Sequence, residues 1–157
     1  MQNQILKGLT MLMLIAGVVL MAALVSAHAQ SRTVVADVPF EFTVGGKALT
    51  AGEYSVRAFA ANGDALLISN QESNESAIRM TNTIEARILP KQGKLVFHRY
   101  GQRYFLSEVW TPGERIGRKL QKCDAERTIE RQLAAIPSKT EFARSSYERV
   151  EIVAMVR

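Results

Sequence analysis

The chain has 157 residues, is 47% hydrophobic and 22% charged, and carries a net charge of +5. Its length points to one globular domain, long enough to bury about two-thirds of its unfolded surface without disulfide staples. Cys123 is the only cysteine, so no intramolecular disulfide can form. Its plain reading is a half-buried small hydrophobe, with an intermolecular disulfide or a reactive thiol as the alternatives.

The first segment is the easiest to read. Lys7 is the only charge before an apolar run from Leu9 to Val25, which Ser26-Ala27-His28-Ala29 closes. A charged start, an apolar stretch and small residues at Ala27 and Ala29 are the parts of a cleavable Sec-type signal peptide over 1–29, with cleavage before Gln30. The competing reading is a retained anchor, although the run is shorter than the roughly 20 residues that typically span a bilayer. No Cys follows the run and no Arg-Arg pair precedes it, so neither a lipoprotein nor twin-arginine export is indicated. The expected location is the periplasm or the medium. Cleavage removes one cation and no acid, and the remaining basic excess serves solubility or contact with anionic envelope material.

Residues 30–157 read as a single β-rich domain. From Thr33 to Val44, Val38, Phe40, Phe42 and Val44 alternate with polar positions or Pro39, as in a half-buried strand that Pro39 confines to an edge or a start. Gly45-Gly46 suits a two-residue hairpin loop, and Ala51-Gly52 and Asn62-Gly63-Asp64 are further turns. Tyr54 and Val56 resume the alternation, Leu66–Ser69 is a short strand, and 70–76 is a polar loop. Asn74-Glu75-Ser76 matches a glycosylation sequon, a weak signal. Residues 77–89 suit one long or two short strands.

Lys94 to Trp110 forms the clearest hairpin. Gly101-Gln102 fits a type II′ turn, and the resulting register places Phe97 opposite Leu106, His98 opposite Phe105 and Leu95 opposite Glu108. Both faces then carry aromatic rings, which calls for cover on both sides or a ligand-facing patch. After Pro112-Gly113 the composition shifts. Ala125, Ile129, Leu133 and Ile136 form one helical stripe within 120–136, with Asp124 near its start and Pro137 at its end. Ser138-Lys139-Thr140-Glu141 predicts a second short helix to about Tyr147, so the helical insertion covers about 121–147. Val150–Val156 is β-branched and apolar, a last strand. The predicted fold is mainly β, a small antiparallel sandwich or barrel of about seven or eight strands with one or two helices before the last strand.

Two blocks carry a resemblance. Val38-Pro39-Phe40-Glu41-Phe42-Thr43-Val44-Gly45 with Leu49-Thr50-Ala51-Gly52-Glu53-Tyr54-Ser55-Val56 is one. Lys94-Leu95-Val96-Phe97-His98-Arg99-Tyr100-Gly101 with Tyr104-Phe105-Leu106-Ser107 and Trp110 is the other. Together they resemble a group of small exported bacterial proteins of unknown function. The resemblance spans most of 38–120, with Thr50 where the group commonly has Pro. It implies export and a β-rich fold, and no activity.

Catalytic signals are weak. His98 is the only histidine after the leader, so a zinc site within one chain is not expected, and no cofactor or catalytic residue is assigned. Ser107, His98 and Asp64 could in principle form a triad, and Glu108, on the apolar face with Leu95, could be an acid catalyst. The one binding constellation is basic and aromatic. Arg99, Tyr100, Arg103 and Tyr104 lie at the hairpin tip, and Arg115, Arg118, Lys119 and Lys122 follow the next turn. Such residues hold anions and stack on planar groups. The expected function is therefore a non-enzymatic exported envelope protein, with an anionic envelope polymer or another envelope protein as partner. Nucleic acid is not expected, and membrane contact is expected only through the leader if it is uncleaved. The alternatives are a barrel-type carrier with an apolar ligand among Phe40, Phe42, Phe97 and Leu106, and an envelope hydrolase.

Overall fold

A computed structural model describes residues 32–59, 63–70, 72–135 and 147–157. Eight strands form a closed antiparallel barrel: β1 (Val34–Val38), β4 (Gly52–Ala58), β5 (Ala65–Asn70), β6 (Ser76–Glu85), β9 (Ile116–Leu120), β8 (Arg103–Trp110), β7 (Gly93–Tyr100) and β10 (Glu148–Val156), each pairing with the next, and β10 returning to β1. A helix, α1 (Asp124–Ala134), precedes β10. Of the two predicted architectures the chain adopts the barrel, with the helix before the last strand as expected.

Alternate residues point inward because side chains alternate across a strand. Val34, Val38, Tyr54, Ile68, Leu95 and Phe97 build the core with Leu106 and Val109. An eight-stranded barrel is just wide enough for its side chains to fill, and aromatic rings do much of the filling here. Phe42 packs edge-on against Tyr54 at 4.9 Å and against Phe97 at 5.3 Å, while Phe40 meets Phe97 at 5.3 Å and stacks on Tyr104 at 3.9 Å.

The single strand expected over 33–44 is two. Pro39 offers no N–H to a ladder, and the chain turns away there. Its continuation β2 (Phe42–Val44) runs parallel to β8 through Thr43 opposite Phe105, and pairs with β3 (Lys47–Leu49) in a hairpin. Gly45 and Gly46 both have positive φ, +55° and +94°, as a primed two-residue turn requires. Arg79 on β6 holds this hairpin by donating to the Val44 carbonyl at 3.4 Å and to the Gly45 carbonyl. Lys47 donates to the Ser76 carbonyl at 2.8 Å. The turn before β4 closes on itself, with the Tyr54 hydroxyl donating to the Thr50 carbonyl at 2.8 Å.

Alternation does not predict β9. Ile-Gly-Arg-Lys-Leu lacks alternation, yet it closes the barrel between β6 and β8. The β7–β8 hairpin has the expected turn, with Gly101 at φ +62°, and the expected register from Phe97–Leu106 to Tyr100–Arg103. Beyond that the register slips by one: Val96 pairs with Glu108 and Leu95 with Val109. Ser107 has no partner on β7, so β8 bulges there. The expected pairing of Leu95 with Glu108 is thereby corrected. The extra residue sends Val109 inward and turns Glu108 to the outer wall, because a one-residue shift exchanges the faces of a strand.

Candidate functional site

The outer face of the β7–β8 hairpin carries a dense polar cluster. His98 and Tyr100, two residues apart on β7, point out of the barrel beside Phe105, and α1 covers them. His98 is 3% exposed and Glu126 of α1 is 4% exposed. The His98 Nδ1 lies 2.9 Å from the Glu126 Oε1. The Tyr100 hydroxyl donates to Glu130 at 2.7 Å and lies 3.2 Å from the Glu126 Oε1, and Lys122 pairs with Glu130. The Tyr147 ring stacks on His98 at 3.8 Å, with the Lys122 ammonium 5.5 Å from its centre. This is the cover that the two-faced aromatic hairpin called for.

The helix presents a different stripe from the one expected. Ala125 and Ile129 are half-buried as predicted, but Leu133 is exposed and Ile136 lies outside the described residues, as does most of the expected second helix. The buried ridge runs through Glu126 and Glu130, four residues apart and so on one face. Cys123 is the half-buried N-cap residue and makes no side-chain cap bond. Asp124 follows in the first turn, where a negative charge suits the helix dipole.

These partners set the charges. Burial pushes the Glu130 carboxyl up, but hydrogen bonds from Lys122 and Tyr100 and the neighbouring positive charge outweigh it and hold it below the usual carboxylate range. Burial, then Glu130 and Glu126, pushes the Tyr100 phenol far above its ordinary value. Elsewhere the Thr50 backbone N–H and hydroxyl hold Glu75 low, and Lys94 holds Glu151 low. A lowered carboxylate contributes stability that is complete above its unfolded value, about 4.3, and is lost as pH falls through its folded value. A raised phenol contributes stability that is complete below about 10 and is lost as pH rises further. Thermal melts from pH 2 to 12 are therefore expected to show a plateau between about pH 5 and 10 with losses on both sides. A melting temperature that stays level down to pH 3 would contradict the acid limb.

A second cluster occupies the other half of the same outer wall. Glu108, turned outward by the bulge, accepts from Trp110 Nε1 at 2.9 Å and from Arg149 at 3.1 Å. Arg149 also reaches Glu151 at 3.0 Å, and Glu151 takes Lys94 at 2.9 Å. The Trp110 ring lies flat over Gly117 of β9, where an added Cβ would stand 2.5–2.7 Å from ring carbons. A groove of about 620 Å³ runs beside Trp110, walled by Ile84, Ile88 and Leu89.

The basic-aromatic residues predicted as a patch divide between these settings. At the hairpin tip, Arg99 pairs with Glu148 at 3.1 Å and lies 5.5 Å from the Tyr104 ring, while Arg103 is exposed and lies 5.5 Å from the Phe105 ring. Tyr100 faces α1 and Tyr104 faces Phe40, so neither ring is offered to solvent. Lys119 stands opposite Glu108 in the β8–β9 backbone register without an ion pair between them, five residues and about 17 Å of strand from Arg103. Arg118 lies 3.8 Å from Asp64, and Arg115 lies 3.8 Å from Glu85. Ala27 and Ala29 lie outside the described residues. The structure gives His98 a carboxylate partner in Glu126 on α1, and puts Asp64 with Arg118 on the other side of β9. Among the described residues no group of three His, Cys, Asp or Glu side chains could hold a metal ion.

Reading from sequence missed Glu126 and Glu130. The available signal was their four-residue spacing beside Ala125 and Ile129, opposite a strand that turns His98 and Tyr100 to one face. Comparison of the chain with protein-family models, with curated proteins and with solved structures finds no match to any of them.

Proposed function

We propose that this chain is an exported, non-enzymatic bacterial envelope or extracellular protein that binds an anionic envelope polymer through cations at the β7–β8 turn and along β9. One observation carries the reading: Arg103 and Lys119 are exposed and, among the described residues, neither has an ion-pair partner. The buried titratable groups, by contrast, are bound to one another. His98, Tyr100, Glu126 and Glu130 fasten α1, and Glu108 holds Trp110 and Arg149. Arg99 and Arg115 sit in solvent-exposed pairs of a kind that contributes about 0–1 kcal/mol, so a polyanion can displace their carboxylates. The Lys7 to Ala29 segment supports export.

The test is retention on anionic envelope material, with salt elution, for the parent and for a chain carrying Arg99→Ser, Arg103→Ser, Arg118→Ser and Lys119→Ser. Retention is expected to fall roughly tenfold and to depend less on salt. Equal retention of both chains would remove these residues from the reading.

A further inference from the structure

The loop between β6 and β7 presents a surface that the polymer reading does not use. Its sequence is Ala86-Arg87-Ile88-Leu89-Pro90-Lys91-Gln92, two cations around an apolar tip with no acid. Ile88 is 85% exposed and Leu89 50% exposed, and a branched aliphatic pair at a loop tip is costly to leave in water. The loop is pinned at both ends. The Ala86 N–H donates to the Arg115 carbonyl at 2.8 Å, and the Pro90 carbonyl accepts from the Gly113 N–H at 2.9 Å. The tip is thus held out by backbone bonds on either side.

The apolar surface continues onto the barrel. Val153 of β10 is 63% exposed and shares a groove of about 480 Å³ with Pro90 and Lys91. The charges around it are one-sided in what they leave free. Glu85 faces Arg115, Glu108 faces Arg149, and Glu151 faces Lys94 and Arg149. Among the described residues neither Arg87 nor Lys91 has an ion-pair partner.

We propose that the β6–β7 loop docks this protein on an anionic membrane surface, with Ile88 and Leu89 entering the boundary between head groups and acyl chains and Arg87 and Lys91 contacting the lipid phosphates. Charge complementarity selects a lipid surface: aliphatic tips suit the acyl boundary, and flanking unpaired cations suit anionic head groups at the same depth. No helix among the described residues is long and apolar enough to cross a membrane, and the docking needs none. This contact is separate from the leader, the segment where membrane binding is expected from sequence.

The test uses the full chain carrying Ile88→Trp, with the parent spectrum subtracted to remove Trp110. It is mixed with vesicles of phosphatidylglycerol and phosphatidylcholine, or of phosphatidylcholine alone, that carry a quencher on their acyl chains. Blue-shifted, quenched emission is expected on the anionic vesicles. Adding Arg87→Ser and Lys91→Ser should raise the lipid concentration for half response roughly 30-fold. A chain that sediments with vesicles while the new indole keeps its aqueous emission would overturn the proposal, since the leader alone would be holding it. An equal response on both vesicle types, insensitive to the two serines, would overturn it as well, as would no response at all. Position 88 is exposed, so an unchanged circular dichroism spectrum establishes that the variant is folded.

Discussion

Glu126→Ala is expected to lower the unfolding free energy by about 2 kcal/mol, the cost of leaving a buried polar group without its hydrogen-bond partner. The truncation leaves the His98 Nδ1 under α1 without its acceptor, while the Tyr100 hydroxyl keeps its bond to Glu130 at 2.7 Å. An orphaned buried polar group carries a desolvation cost of about 1–3 kcal/mol. Little apolar area offsets this, because Ala125 and Ile129 are only half-buried and Leu133 is exposed. Glu126→Gln keeps an acceptor at the same position and should cost about 1 kcal/mol. Urea titrations of the three chains decide the matter, with far-UV ellipticity reporting α1. If Glu126→Ala falls within about 0.5 kcal/mol of the parent, the range of an ordinary surface change, then α1 is held by something other than this cluster.

Gly117→Val is the second large effect. A side chain at position 117 must enter the space of the Trp110 ring, whose carbons would lie 2.5–2.7 Å from the new Cβ. A wide aromatic ring bonded through Nε1 to Glu108 cannot yield by a small rotation, so it leaves the wall and loosens the Glu108–Arg149 contact with it. Overpacking of this kind costs about 1–3 kcal/mol. The upper end is expected, slightly offset by the better strand propensity of Val over Gly. Trp110 is the only tryptophan, so its emission reports the displacement directly and should move to the red. Lys119→Val, exposed on the same strand, is the control and should leave both stability and emission nearly unchanged. Unaltered emission in Gly117→Val would mean that β9, not the ring, gives way.

Much of the barrel could be read from the chain because its hairpins announce themselves. Gly45-Gly46 and Gly101-Gln102 are turns whose geometry few other pairs satisfy, and the alternation beside them sets the pairing. The misses have local physical causes. β9 carries a glycine to make room for Trp110 and two consecutive cations, so no apolar period remains to be seen. The break after Pro39 obeys a rule that residue imposes, but alternation runs through it on both sides and hides it. The Ser107 bulge leaves no trace in composition, and it alone decides which face of β8 carries Glu108. In the α1 cluster the need for cover over His98, Tyr100 and Phe105 was legible. The covering groups were not, because two carboxylates one helical turn apart ordinarily mark the face turned to water.

The position of β10 between β1 and β7 has a kinetic consequence. The barrel's first and last strands meet directly, Val34 against Val156, so the wall closes through a contact between residues far apart in the chain. Such non-local pairing slows folding toward milliseconds to seconds, although the closure entropy itself grows only slowly with loop length. Until residues 148–156 take their place, β1 and β7 each keep a bare strand edge, and bare edges template association with other chains. The interval before that last insertion is when this protein is most prone to aggregate, and when a chaperone that shields strand edges would matter most to it.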